Sequence, residues 1–510
     1  MRRIKKFLQN TVILGAASVA MRAVSLVFNA YIANRIGAEG MGLFSLISSV
    51  YVFGVTLASA GVQLAVNRLV SEELAAGDHK AAVGCMKAAA VYALITGTAA
   101  QILLFSLSGY IGTELLGDAR TVLSLRALSV CLPFIALSNV FSGYFYAVRR
   151  VVKSAAASVT EQAVKIAVTV ALLTPLLPRG MEYACLAVVV GMSVSEGASL
   201  IFQFILFLSD RRKHGKNAGS PAAGPGKRLL KISVPVALSS LLRSALVTTE
   251  HILIPRGLKK HGLDSAAALS GYGVIQGMVF PVIFFPSAVT GAVAGLMVAE
   301  MSSEAASAGG YRSREIRYMV NRSYQMTLLY AVAAAGVFVA FAEPLGTLIY
   351  HNADTARYMR IFAAAVPVMY LDTVTDGMLK GLNQQLPSMW YNIIDAAVSV
   401  LLVFFLVPEM GVAGYIVTVF VTEALNAALS VSRLLVVTGA AIPVFSSVVK
   451  PIAAALGAAA VCGLVLPAAE SFVTLALGIV FFLAVYAIFA LMLGAVKRED
   501  IMWGKRIFER

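Results

Sequence analysis

Charge is what this sequence has least of. Only 13% of its 510 residues are Asp, Glu, Lys or Arg, against roughly 25% in soluble domains, and that shortage excludes a string of soluble domains. Histidine and cysteine are scarce too, at five and four. His79, His214, His251, His261 and His351 are scattered, and Cys85, Cys131, Cys185 and Cys462 stand apart, mostly inside apolar stretches. Neither set has the spacing of a metal site or a disulfide framework, so small apolar packing is the plain role for the thiols. Also missing are a glycine-rich phosphate loop ending in Lys-Ser/Thr, a nucleophile elbow and a metal-ligand pair. The reading is therefore not an enzyme and not an ATP-driven pump, with no cofactor beyond a coupling H⁺ or Na⁺.

What fills the sequence instead is apolar residue, 59% of the total. It falls in runs at 11–32, 43–65, 81–107, 123–148, 155–176, 183–208 and 232–254. Further runs cover 265–299, 324–350, 361–379, 389–407, 412–436, 448–466 and 472–492. Each suffices to cross ~30 Å of hydrocarbon as a helix. The expected fold is an all-α polytopic membrane protein of about 14 transmembrane helices. The opening MRRIKKFLQN has the charge of a signal peptide, but the run behind it is too long and contains Arg22, so it reads as a retained first span.

The net charge of +15 could point to nucleic acid, but its placement points to a bilayer. Basic residues gather in alternate loops: Arg2, Arg3, Lys5 and Lys6; Arg68, Lys80 and Lys87; Arg149, Arg150 and Lys153. Arg211 to Lys231, Arg312 to Arg322 and Lys497 to Arg510 continue the series, while the opposite loops hold few, such as Arg35, Arg120 and Arg179. This is the positive-inside pattern, with both termini cytoplasmic in a cell membrane. The stretch 209–231, SDRRKHGKNAGSPAAGPGKRLLK, reads as a basic cytoplasmic linker after the sixth span. It divides an N-terminal lobe (1–208, spans 1–6) from a C-terminal lobe (232–436, spans 7–12), with two more spans and a tail at 437–510. Two six-span lobes around a central cavity are a common carrier plan.

Polar residues inside the runs are the candidate site, because burying them costs several kcal/mol unless they face a partner or water. Arg22 and Arg243, in the first and seventh spans, are candidates to meet an anion, since guanidinium donors fit phosphate oxygens. Each could instead snorkel or pair structurally. Glu161 and Lys165 share a helix face at i, i+4, with a structural ion pair as the favoured reading. Asp372, Asp376 and Lys380 repeat that spacing, facing either the cavity or the cytoplasmic mouth as gating groups. Asn392, Asp395, Glu423 and Asn426 put two carboxylates and two amides on consecutive spans, a donor set that could hold H⁺ or Na⁺ or simply bond neighbouring helices. The eighth span contains Pro281 and Pro286 and reads either as a flexible element or as a static kink.

The first span with Arg22, followed by RIGAEGMGLFSLISSVYVFGVTLASAGVQLAVNRLVSEELAAGD, resembles the stage V sporulation protein B family. So do GYGVIQGMVFPVIFFPSAVTGAVAGLMVAEMSSEAA (271–306) and LDTVTDGMLKGLNQQ (371–385). That family sits in the multidrug/oligosaccharidyl-lipid/polysaccharide exporter superfamily. The resemblance runs through nearly the whole chain and implies a two-lobe bundle that flips a lipid-linked saccharide from inner to outer leaflet. Sporulation-linked wall synthesis, with wall-synthesis enzymes as partners, is a further implication. Lipid II flippases use cavity arginines on their first, second and eighth spans. Here Arg22 matches one of them, Phe28 and Gln276 stand near two others, and Arg68 is a loose stand-in for the second-span residue. A cation-coupled multidrug exporter and a non-transporting scaffold for wall enzymes are the alternatives. Arg22 and Lys165 against Glu161 and Glu196 suit cationic drugs poorly, and a scaffold leaves the buried charge unexplained.

Orientation is directly testable. In a background lacking the native cysteines, a cysteine at Lys260 should be labelled by an impermeant reagent outside intact cells, and one at Gly219 should not. The reverse pattern would invert the topology.

Overall fold

The computed structural model describes residues 2–213, 224–441, 445–465 and 469–495. All regular structure among them is helical. In hydrocarbon only a helix satisfies every backbone group within one segment, so apolar runs of this length have no other stable form. The first eight helices are α1 (Arg2–Ser59), α2 (Val62–Ala75), α3 (His79–Tyr110), α4 (Thr121–Ser129), α5 (Leu132–Ala147), α6 (Val151–Leu176), α7 (Met181–Lys213) and α8 (Pro225–Lys260). Then come α9 (Ser265–Gly273), α10 (Phe280–Phe284), α11 (Ser287–Ala308), α12 (Arg314–Ala340), α13 (Ala342–Tyr350) and α14 (Ala353–Ala363). The series closes with α15 (Val366–Gly381), α16 (Gln385–Met410), α17 (Val412–Thr438), α18 (Lys450–Val465) and α19 (Phe472–Met492). Polar residues between the runs start the helices: Asp78, Ser313, Asn352 and Ser471 each accept a hydrogen bond from a backbone N–H three residues on.

Among the described residues eleven helices are long and apolar enough to span a membrane, or up to twelve with the bent pair α4–α5 taken as one span. The expected fourteen is not reached by this count. The first two runs lie on one helical stretch, Val19–Ala75, and the tenth is divided between α14 and α15. Inside α1 the direction changes at Gly37, whose φ of 70° lies in the left-handed region that a side chain disfavours. The expected linker is helical at both ends, since α7 reaches Lys213 and α8 begins at Pro225. Its middle, 214–223, lies outside the described residues, as do Lys497, Arg498, Lys505, Arg506 and Arg510 of the orientation argument.

By contact the chain forms two units. One comprises Glu39–Lys259 and Asp264–Leu269; the other comprises Met1–Ala38, Lys260–Leu263 and Ser270–Arg510. This is not the division by chain order: the first span groups with the eighth and later spans, and the seventh groups with the second to sixth. Within the first unit α6 lies along α7 and α2 packs on α3 and α5. Thr248 of α8 donates to the Ser49 carbonyl of α1 at 3.1 Å.

In the second unit a buried cluster of Met297, Ile316, Tyr324, Val374, Met378 and Leu434 joins α11, α12, α15 and α17. The last two helices dock here too. Tyr486 of α19 donates to the Leu329 carbonyl at 2.8 Å, and Gln325 Nε2 and Lys450 Nζ hold the carbonyls of Ala495 and Gly494 beyond the end of α19. Helix α15 meets α11 through Gly377 and Gly381, one turn apart. A Cβ at Gly377 would stand 2.6 Å from the Ala294 carbonyl oxygen, so backbone closeness there depends on the missing side chain. Gly377→Leu should therefore force α11 and α15 apart at a cost of about 1–3 kcal/mol or more. A lowered thermal midpoint of the detergent-purified protein would register it; an unchanged midpoint would refute close packing at this crossing.

Candidate functional site

The geometry around Arg22 begins with a proline. Pro286 has no N–H to give, and the turn at the α10–α11 junction tightens to i, i+3 bonding. Phe285 N–H donates to the Val282 carbonyl, Ala288 N–H to Phe285 and Val289 N–H to Pro286. Ala288 is thereby taken from Phe284, whose carbonyl loses its usual helical donor. Side chains from elsewhere fill the gap. Arg22 Nη1 donates to the Phe284 carbonyl at 3.1 Å and to Ser287 Oγ at 2.9 Å, while Ser287 Oγ donates to the same carbonyl at 2.7 Å. Tyr330 of α12 donates to the Pro286 carbonyl at 2.9 Å, and Tyr370 of α15 to the Ile283 carbonyl at 2.5 Å. The two tyrosine rings stack with centroids 6.2 Å apart. The proline-broken eighth span is thus braced by three other helices.

Further along α1, Tyr350 donates to Asn29 Oδ1 at 3.1 Å, and Asn34 Nδ2 donates to the Ile349 carbonyl at 2.7 Å. Arg22 itself stays exposed. Phe28 is buried, and Gln276 Nε2 donates to the Tyr415 hydroxyl at 2.5 Å.

The second set lies on α15, α16 and α17. Asn426 Nδ2 donates to Asp372 Oδ2 at 3.0 Å, joining two groups that the sequence placed in separate sets. Asp376 accepts from Ser388 Oγ at 2.5 Å and pairs with Lys380 at 3.7 Å, as the i, i+4 spacing expects. Asn392 turns to its own helix, donating to the Ser388 carbonyl at 2.8 Å. Asp395 and Glu423 are half-buried on α16 and α17, which pack along one another, and each is engaged in a polar or electrostatic interaction.

The other unit holds the remaining residues. Glu161 and Lys165 are half-buried on α6, yet no ion pair within 4.0 Å joins them, which corrects the favoured structural pair. Lys165 still acts on Glu161 through space, and Glu196 of α7 adds a second carboxylate to the field of both. Tyr51 of α1 donates to Glu196 Oε1 at 3.3 Å. Arg68 is bound up with Glu72 at 2.9 Å, and Arg228 reaches Glu72 at 3.1 Å and also pairs with Glu73. Arg68 is 66% exposed, so this is a surface network of modest worth. Arg243 is exposed on α8 and has no hydrogen bond or ion pair among the described residues. Outside the spans, the hydrogen-bonded Asp118 beside Arg120 raises the guanidinium pKa, which keeps Arg120 charged.

One buried charge escaped the sequence reading. The Asp210 side chain, 2% exposed at the end of α7, accepts from Tyr144 at 3.1 Å and pairs with Lys153 at 2.7 Å and with Arg150. Its signal was a lone acid within the basic string SDRRK, which reads as a solvated linker.

The fold is that of transporters of the exporter superfamily named above. The solved lipid II flippase MurJ, in an inward closed conformation, matches with a TM-score of 0.73 at 13% identity, over 94% of this chain and 98% of that one. An inward-facing multidrug resistance transporter of the MATE family matches with a TM-score of 0.62 at 15% identity, over 83% and 98%. A family described as "Polysaccharide biosynthesis protein" matches residues 7–290, more than half of the 510, and the chain belongs to that family. Stage V sporulation protein B of Bacillus subtilis (strain 168) is 26% identical over 518 residues, 97% of each chain.

Removing one partner from a buried charge cluster leaves the others uncompensated. Asp210→Ala should destabilise the protein by about 3 kcal/mol, and Asp210→Glu by less. Folded yield and thermal midpoint in detergent are the readouts, and wild-type behaviour of Asp210→Ala would show the cluster to be dispensable.

Proposed function

We propose that this protein is an alternating-access flippase. Its cargo is a saccharide or peptidoglycan precursor linked through pyrophosphate to a polyprenyl lipid, moved from the inner to the outer leaflet of the cell membrane. Both termini lie in the cytoplasm on this reading. The observation that carries it is Arg22, a guanidinium in a membrane-spanning helix, exposed, and held by neutral acceptors instead of a carboxylate. Its positive charge is left uncancelled by those contacts, and an anionic headgroup is the ligand that such a charge selects. The precursor would serve wall or polysaccharide synthesis, with the names of the family and of the sporulation relative supporting that direction.

Coupling belongs to the second unit on this reading. A cation taken up near Asp395 and Glu423 in one conformation and released in the other would bias the transport cycle. A second reading, cation-coupled export of drugs, is favoured by Glu161 and Glu196, two carboxylates close enough to act on each other beside Tyr51. The nature of the accumulating species separates the two.

Depletion should build up a lipid-linked precursor in the inner leaflet; if drug sensitivity changes and no precursor accumulates, the flippase reading fails. Arg22→Ala should keep membrane levels and abolish complementation, and Arg22→Lys should restore it only in part, because a point charge loses the planar donor fork. Full activity of Arg22→Ala would remove the arginine from the mechanism. In reconstituted vesicles Asp395→Asn and Glu423→Gln should slow flipping without weakening precursor binding. Flipping that ignores imposed H⁺ and Na⁺ gradients and is unchanged in both variants would exclude coupling at this pair.

A further inference from the structure

The contacts of Arg22 are uneven across its guanidinium. Both hydrogen bonds leave from one nitrogen, Nη1, and among the described residues Nε and Nη2 make none. The acceptors are arranged so that this nitrogen has one place to go. Ser287 Oγ gives its proton to the Phe284 carbonyl at 2.7 Å, so the lone pairs of the hydroxyl are what remain for Arg22 at 2.9 Å. The Phe284 carbonyl is open to a side chain because Pro286 has shifted the next N–H donors by one residue. It accepts from both Arg22 and Ser287, which closes a triangle of three polar atoms with sides of 3.1, 2.9 and 2.7 Å. The carbonyls on either side of the break are held by Tyr370 and Tyr330, so the backbone carrying Phe284 and Ser287 has little freedom to turn.

We propose that Ser287, with the Phe284 carbonyl, is the seat that orients Arg22, turning its Nε and Nη2 edge toward the oxygens of an anionic headgroup. Ser287 is a positioning residue that does not itself touch the ligand. A guanidinium on a long side chain loses rotamer freedom when it binds, and a seat that fixes one nitrogen beforehand removes part of that loss. The fork geometry sharpens the effect, because two parallel N–H donors meet a pyrophosphate only when the plane is correctly turned. Neutral acceptors suit this task better than a carboxylate, since they orient the cation without cancelling its charge.

This inference rests on the reading of Arg22 as a headgroup ligand, and the experiment separates the two. The full chain is purified in nanodiscs, and binding of undecaprenyl pyrophosphate is titrated for the wild type and for Ser287→Ala, Ser287→Thr, Arg22→Ala and the Arg22→Ala/Ser287→Ala double variant. Ser287→Ala should weaken binding by about tenfold, the worth of one hydrogen bond to a charged group. Ser287→Thr, which keeps the hydroxyl, should restore it and show that the loss is not one of folding. In the Arg22→Ala background the serine change should have no further effect. Wild-type affinity in Ser287→Ala, or the same loss with and without Arg22, would overturn the seat while leaving the headgroup reading standing. Undiminished binding by Arg22→Ala would overturn both.

Discussion

A backbone carbonyl without a donor is costly in a medium that has no water, and the architecture around Arg22 answers one such carbonyl. Pro286 breaks the eighth span, shifts the helical bonding by one residue and leaves Phe284 without its usual N–H. Arg22 and Ser287 fill that vacancy, and two tyrosines brace the carbonyls beside it. Arginine from α1, a serine one turn away and tyrosines from α12 and α15 deliver donors to the carbonyls of Ile283, Phe284 and Pro286. The bonding ties the first half of α1 to helices more than 250 positions later in the chain, which accords with its grouping by contact with Ser270–Arg510. Asn29 and Asn34 extend the attachment to the end of α13, again through a carbonyl and amides and without ion pairs.

Charged groups are handled differently according to depth. Near the helix ends, acids meet bases directly: Asp210 with Lys153 and Arg150, and Glu72 with Arg68 and Arg228. Inside the spans amides, hydroxyls and backbone also serve: Asp372 accepts from Asn426, Asp376 accepts from Ser388 while pairing with Lys380, and Arg22 donates to Phe284 and Ser287. A neutral partner satisfies donors and acceptors yet keeps the net charge available. On the proposed flippase reading, a site that holds an ionic guest in one state and releases it in the next needs this reserve, which a tight ion pair would consume.

Much of this was legible in the sequence, and the limits have physical causes. Run length is a local property, so the apolar helices could be read directly. Arg22 stood out because an arginine in an apolar run is conspicuous wherever its partners lie. Its partners could not be read: a carbonyl is carried by every residue, and nothing in the composition at 284 distinguishes that one until Pro286 shifts the bonding. The i, i+4 rule succeeded for Asp376 and Lys380, where Lys380 is 53% exposed, and gave no close pair for Glu161 and Lys165, which lie beside Glu196 of α7. The pairing of Asp372 with Asn426 crosses 54 positions and depends on how α15 meets α17, which no periodicity records. Asp210 was hidden by its neighbours, since burial of one acid in a basic string is decided by Tyr144, 66 positions away.

The brace at the eighth-span break also bears on how such a chain can drift in sequence. Four side chains at positions 22, 287, 330 and 370 serve three carbonyls within a single turn, and the need for those at 22 and 287 originates at a fifth position, 286. A lineage that lost the proline would regain the N–H donor at 286, and the donors at 22 and 287 would then compete with a restored helical ladder. The reverse order is milder, because the Phe284 carbonyl keeps one of its two side-chain donors when the other is lost, and the Pro286 carbonyl keeps the Val289 N–H when Tyr330 is lost. Loss of the proline should therefore release the donors at 22 and 287 from this duty, whereas chains that keep the break can lose one of them and still satisfy the Phe284 carbonyl.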